Sequence, residues 1–115
     1  MKSMKMSAYR FMWLMIMFDM PTDTKKARKK YRYLRGKLLK EGYIMMQFSI
    51  YIRSFHSQES ALSGKKRIKD FIASNIAKGS IRMIMFTDKQ FGSMDIIVGI
   101  QEENEKNAPK QLLLF

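Results

Sequence analysis

Residues 11–18 run Phe-Met-Trp-Leu-Met-Ile-Met-Phe, eight apolar side chains with no polar alternation, and then stop at Asp19-Met-Pro-Thr-Asp23. A bulky apolar run of that length, closed by a turn signal, suits a central strand covered on both faces. Pro21 cannot donate a ladder hydrogen bond and pushes Met20 towards an extended conformation, so the strand must end there. Asp19 is thereby placed at the carboxyl end of the strand, on the rim of a sheet. A single carboxylate at a strand end most often caps the turn by bonding the amides after it.

The rest of the chain limits what can be built on this strand. At 115 residues, with 46% apolar residues, it has the size and composition of one domain with a real core. There is no cysteine and only one histidine, His56, which removes disulfides, zinc–thiolate clusters and a histidine metal cluster within the chain. A metal would need carboxylates, which suits magnesium or a similar hard cation. The basic start before an apolar run mimics a signal peptide. The run is far short of the ~20 residues of a membrane span, has no small-x-small cleavage site and ends in Asp-Met-Pro. The expectation is a cytoplasmic protein that does not span or bind a membrane.

Charge is concentrated. Twenty-two basic against 10 acidic residues give a net charge of +12, and residues 1–56 carry +10 of it. Such an excess points to a polyanionic partner, nucleic acid before membrane. Residues 24–40 hold nine Lys or Arg and no acid. Ala27, Tyr31, Leu34 and Leu38 recur there at helical spacing, and Gly42 follows as a stop. Most charge runs are merely solvated faces. A face chosen only for solubility would mix signs at i,i+4, and this one does not. Lys25, Arg28, Lys29, Arg32, Arg35 and Lys37 are therefore the candidate phosphate contacts.

Residues 43–53 alternate with period two and could bend near Ser49 into two short strands. Residues 54–63 are polar and hold His56; a second helix starts at about Glu59 and runs to about Ala77, with Gly79 after it. Residues 81–87 read as a third strand, 88–92 as a turn and 94–100 as a fourth strand. Residues 101–109 are a polar, acidic link to an apolar end at 110–115, and 1–7 an N-terminal extension with several methionines as candidate starts. Four apolar residues at 112–115 after a polar link call for a strand that folds back on its own sheet or adds to a partner's edge. The order suits a two-layer α+β sandwich, close to ferredoxin-like βαββαβ if the second strand counts as two.

Three segments are familiar together. Arg10-Phe-Met-x-x-x-x-Met-Phe-Asp-Met-Pro-Thr-Asp-Thr24, Lys40-Glu-Gly-Tyr-Ile-Met-x-Gln-Phe-Ser-Ile-Tyr51 and Thr87-Asp-Lys-Gln-Phe91 resemble, in order and spacing, the CRISPR-associated Cas2 proteins of type II systems. The resemblance implies a single ferredoxin-like domain over residues 1–115, a two-fold homodimer and a C-terminal strand pairing across protomers. It implies a part in spacer acquisition, the dimer bridging dimers of the CRISPR integrase (Cas-one) and holding double-stranded DNA. For some members it implies instead a metal-dependent endonuclease of RNA or DNA. Carried over, that site is Asp19, once from each protomer and holding magnesium, with Ser49 and Arg53 as further catalytic residues. The chain departs from the family where Lys25 and Lys26 replace acidic residues of the first helical turn, and where Ile50 replaces a common valine. One Asp per chain cannot build a hydrolytic metal site, whereas two across a two-fold can. The expected role is accordingly architecture and binding, with the nuclease as the alternative. An RNA-recognition sandwich ranks below both, because no basic-Gly-aromatic element lies on a strand.

Overall fold

The computed structural model describes residues 11–99. Its elements are β1 (Met12–Asp19), α1 (Lys25–Lys40), β2 (Ile44–Gln47), β3 (Ile50–Phe55), α2 (Gln58–Asn75), β4 (Ser80–Thr87) and the short α3 (Asp88–Gly92). One antiparallel sheet has the order β2-β3-β1-β4, with β1 flanked by β3 and β4. This is a ferredoxin-like α+β sandwich, βαββαβ, with α1 and α2 on one face of the sheet.

Local chemistry sets the boundaries. The Thr24 hydroxyl accepts from the Ala27 amide at 3.0 Å and caps the start of α1. Beyond the last turn, Gly42 takes φ 91°, a left-handed conformation that a side chain would resist. A capping box between Ser57 and Ser60 starts α2. The bend foreseen near Ser49 is real: the strand divides into β2 and β3, and Ser49 stands at φ 64° between them.

Alternation along β1 sorts the core. Leu14, Ile16 and Phe18 pack under the helices with Leu34, Leu38, Tyr51 and Ile68. Trp13 points to the opposite face and makes a smaller cluster with Ile52 and Phe91, flanked by Met15, Met46 and Phe86. Coverage of both faces, expected from the apolar run, is therefore only partial: Met15 and Met17 are half-buried, and Ile84, beside Met15, is 51% exposed. The helices account for one face, and only α3 reaches the other.

Two further expectations are corrected. Residues 88–92 are a helix rather than a turn, because Thr87 and Gln90 form a capping box. Residues 94–99 form no strand; Ile96, Ile97 and Val98 stand exposed. Their pattern suits a strand, but a strand needs an edge to pair with, and within the described residues they take none. The link at 101–109 and the end at 110–115 lie outside the described residues, as do residues 1–7.

Candidate nucleic-acid interface

The end of β1 is built from two sides. Asp19 pairs in register with Ser80 of β4. Gly79, at φ 120°, lets the two backbones close: a Cβ there would lie 2.9 Å from the Asp19 carbonyl oxygen. On the other side the Phe18 amide donates to the Ser49 carbonyl at 3.0 Å. Asp19 itself is exposed, and by alternation it lies on the open face with Met15 and Met17.

The three residues carried over as a catalytic set do not converge in one chain. Ser49 shares the strand end with Asp19, but its hydroxyl pairs with the Tyr31 hydroxyl of α1 at 3.1 Å, on the helix side. Arg53 lies opposite Leu14, on the helix-covered face, five residues or roughly 17 Å along the strand from Asp19. Its guanidinium donates to the Glu41 carbonyl at 2.6 Å and lies 4.2 Å from the Phe55 ring centroid. Arg53 thus closes the carboxyl end of α1, where backbone carbonyls lack partners. The described residues contain no group of three or more His, Cys, Asp or Glu able to hold a cation. Asp19 is the one carboxylate of the proposed site, so a magnesium cage does not fit a single chain.

The basic helix divides into two flanks. At about 100° per residue, Lys25, Arg28, Arg32 and Arg35 fall on the flank beside Tyr31, towards the β2–β3 turn, with Lys29 at its border. All five are exposed. Arg28 is steadied by a hydrogen bond from Nη1 to the Thr22 carbonyl, 3.1 Å. Lys26, Lys30 and Lys37 fall on the flank facing α2. Lys37, one of the six candidate contacts, is engaged there: it pairs with Glu41 at 3.3 Å and lies 5.5 Å from the Phe71 ring centroid. Arg67 also bonds Glu41, at 2.9 Å, and this guanidinium, with Lys37, holds the Glu41 carboxyl below its ordinary range despite partial burial. Lys26 and Lys30 join Lys78 around a cleft of about 470 Å³ floored by Met20, Ala27 and Ile76.

Two features lay beyond sequence reasoning. Asp88 is buried and accepts from Trp13 Nε1 at 2.6 Å and from the Phe11 amide at 3.1 Å. The partners stand 75 and 77 residues away, so no local pattern marks them. The other is Phe48, 78% exposed and stacked on Tyr31. Its signal was a phenylalanine beside a polar turn residue, in a stretch read for alternation and for resemblance but not for an exposed ring.

Fold and site together define a small ferredoxin-like protein with one cationic helix and a lone carboxylate ending its central strand. Residues 12–94 match the family described as CRISPR associated protein Cas2, and the chain belongs to that family. It is 42% identical over 104 residues to the CRISPR-associated endoribonuclease Cas2 of Parvibaculum lavamentivorans, covering 90% of this chain and 100% of that one. The protein of the same name from Flavobacterium psychrophilum is 40% identical over 111 residues, covering 96% and 94%. That from Campylobacter jejuni is 37% identical over 107 residues, covering 92% and 73%.

Proposed function

We propose that this chain is the DNA-holding scaffold of CRISPR spacer acquisition, a cytoplasmic homodimer that bridges dimers of the CRISPR integrase. The observation that carries the reading is the exposed cationic flank of α1, Lys25, Arg28, Lys29, Arg32 and Arg35, with no acid among them. Phosphate contacts of this kind position a duplex without reading its sequence. The homodimer is supported by the open sheet face at Met15, Met17 and Ile84, and by residues 94–99, which have strand pattern and no edge of their own. A second copy supplies both a cover and an edge.

The test is a salt titration of duplex binding. Affinity should fall with a log–log slope of roughly −0.9 per phosphate neutralised. Replacing Lys25, Arg28, Lys29 and Arg32 by Ala should flatten that slope on every sequence alike. An unchanged slope would reduce the helix to a solvated face, and a strong consensus would also refute the reading. Cutting the chain after Pro109 should loosen the dimer; a truncated protein that sediments as an intact dimer would remove the end from the interface.

A second reading is a metal-dependent endonuclease, favoured by the endoribonuclease names of the similar proteins and by the place of Asp19 on the open face. A two-fold passing beside the end of β1 would bring two Asp19 carboxylates together, and magnesium is the cation their oxygen chemistry suits. Ser49 belongs to the same strand end, whereas Arg53 would have to leave Glu41 to take part. Asp19→Asn decides between the readings. Under the scaffold it leaves duplex binding and acquisition near normal. Metal-dependent cutting by wild type, lost in Asp19→Asn together with acquisition, would make the nuclease the function.

A further inference from the structure

Phe48 is more exposed, at 78%, than any other Phe, Tyr or Trp among the described residues. Left in water, a ring of that size forfeits most of the ~1.5–3 kcal/mol that burial provides. It is nevertheless held in place. Ser49 after it adopts φ 64°, uncommon for a residue with a side chain, and is pinned by the Phe18 amide at 3.0 Å and the Tyr31 hydroxyl at 3.1 Å. One face of the Phe48 ring stacks on Tyr31, with centroids 6.0 Å apart and planes 21° apart. Tyr31 in turn packs on Phe18, and Phe18 on Tyr51, so the exposed ring ends a column of aromatics rooted in the core.

The column meets the arginines. Arg28, Arg32 and Arg35, the only arginines of α1, all fall within about 100° of Tyr31 on the helix, on the side of the β2–β3 turn. The lysines Lys26, Lys30 and Lys37 fall on the other side. Guanidinium groups pair bidentately with phosphate and also stack on flat rings, which ammonium groups do not. A braced aromatic ring stacked on Tyr31, whose helix flank carries exposed arginines, matches a nucleotide: a flat base with an anionic phosphate beside it.

We propose that Phe48 is a stacking platform for an unpaired nucleobase, whose flanking phosphates are taken by Arg28, Arg32 and Arg35. Within a duplex the base faces are covered by their neighbours, so the ring recognises a single strand or a frayed end. The inference rests on the reading of the α1 flank as a nucleic-acid surface, and it adds the strandedness of the ligand.

The experiment uses the full chain and three labelled probes: a short single-stranded DNA, the same sequence as RNA, and the blunt DNA duplex. Phe48→Ala should weaken both single strands about tenfold, within the range for removing one base–aromatic stack. Phe48→Trp should restore binding. The salt slope should stay at the wild-type value, the duplex should change less than twofold, and sedimentation should be unaltered. A fluorescent purine analogue in the DNA strand should be quenched by wild type and not by Phe48→Ala. Equal loss on duplex and single strands, loss on only one backbone type, no loss, or altered sedimentation in Phe48→Ala would each overturn the assignment; the last would make Phe48 a contact with a second copy. The two readings fail separately. A slope flattened by Arg28→Ala and Arg32→Ala, with single-strand binding indifferent to Phe48→Ala, sinks only the platform. A slope unmoved by the arginine variants sinks the nucleic-acid surface itself.

Discussion

Removing the Asp88 carboxylate should cost this fold about 3 kcal/mol, and the structure says where the cost arises. Asp88 is 5% exposed and accepts from Trp13 Nε1 at 2.6 Å, a buried pair, and from the Phe11 amide at 3.1 Å, a half-buried one. A hydrogen bond to a charged acceptor contributes about 1.5–3 kcal/mol, the larger share where the donor, like the Trp13 indole, is buried. The amide at Phe11 is closer to water, so its loss adds about 0.5–1 kcal/mol. Relief of the buried charge itself offsets part of the sum. Asp88→Ala should therefore lower stability by about 3 kcal/mol. For a chain of 115 residues, with an unfolding entropy of roughly 2.1 cal/mol/K per residue, that is a fall in Tm of about 12 °C. Asp88→Asn keeps the shape and one carbonyl oxygen for Trp13, but its amide faces the Phe11 N–H with a second donor; about half the loss should remain. Thermal melts by circular dichroism measure the fall. Emission from Trp13, the single tryptophan, reports whether the indole loses its partner. A fall under 1 kcal/mol in Asp88→Ala, or an unchanged Trp13 spectrum, would refute the idea that this carboxylate pins the open face.

Tyr43 has a buried hydroxyl without a hydrogen-bond partner among the described residues, and burial pushes its pKa up to about 12. Tyr43→Phe should be neutral or stabilising at pH 7. A group whose folded pKa is raised contributes stability that is present below its unfolded value and lost as pH climbs, so wild type should weaken between about pH 10 and 12 where the Phe variant does not. Parallel alkaline melts of the two proteins would count against the burial argument. Glu41 behaves oppositely: Arg67 and Lys37 depress its pKa, so its contribution is present above the ordinary carboxylate range and lost as pH falls through it. Glu41→Gln should lower stability by under about 1 kcal/mol at neutral pH, and urea titrations should show the gap closing below about pH 4. A gap that persists in acid would assign the effect to something other than these ion pairs.

Much of the architecture was legible because local chemistry decided it. The cap at Thr24 and the left-handed Gly42 bracket α1 within a residue of the expected ends, and Tyr31, Leu34 and Leu38 of the apolar stripe face the core as periodicity requires, while Ala27 lines the cleft beside α2. Period two in residues 43–53 identified a strand pair and the bend at Ser49. Period two in residues 94–99 had the same form, yet alternation specifies a half-buried surface and is silent on which edge receives it. The position of Arg53 relative to Asp19 was illegible for a related reason. Whether Arg53 meets Asp19 depends on strand register, and pairing with Leu14 puts Arg53 under the helices and Asp19 on the open face. The contact of Asp88 with Trp13 spans 75 residues and carries no local mark at all.

The distribution of charge on α1 separates two roles that net charge alone would merge. A helix selected only to keep a basic protein soluble has no reason to sort arginine from lysine. Here all three arginines fall on one flank, with Lys25 beside them and Lys29 at its border, and the flank facing α2 carries lysines alone. Towards α2, the lysines meet a carboxylate, an aromatic ring and an apolar cleft, where Lys37 is drawn into the fold by Glu41 and Phe71. Flexible stems with compact charges suit that setting, since their methylenes can cover apolar surface while the head stays wet. Towards the β2–β3 turn, the arginines are exposed to solvent on the flank beside Tyr31, and no described acid pairs with Arg28, Arg32 or Arg35 by salt bridge. Rigid, planar, permanently charged groups held there unpaired are matched to phosphate and to flat rings. The same strand end that presents Asp19 holds the turn carrying Phe48, because Phe18 bonds Ser49. Carboxylate and exposed aromatic ring are therefore both fixed by where the apolar run of β1 stops.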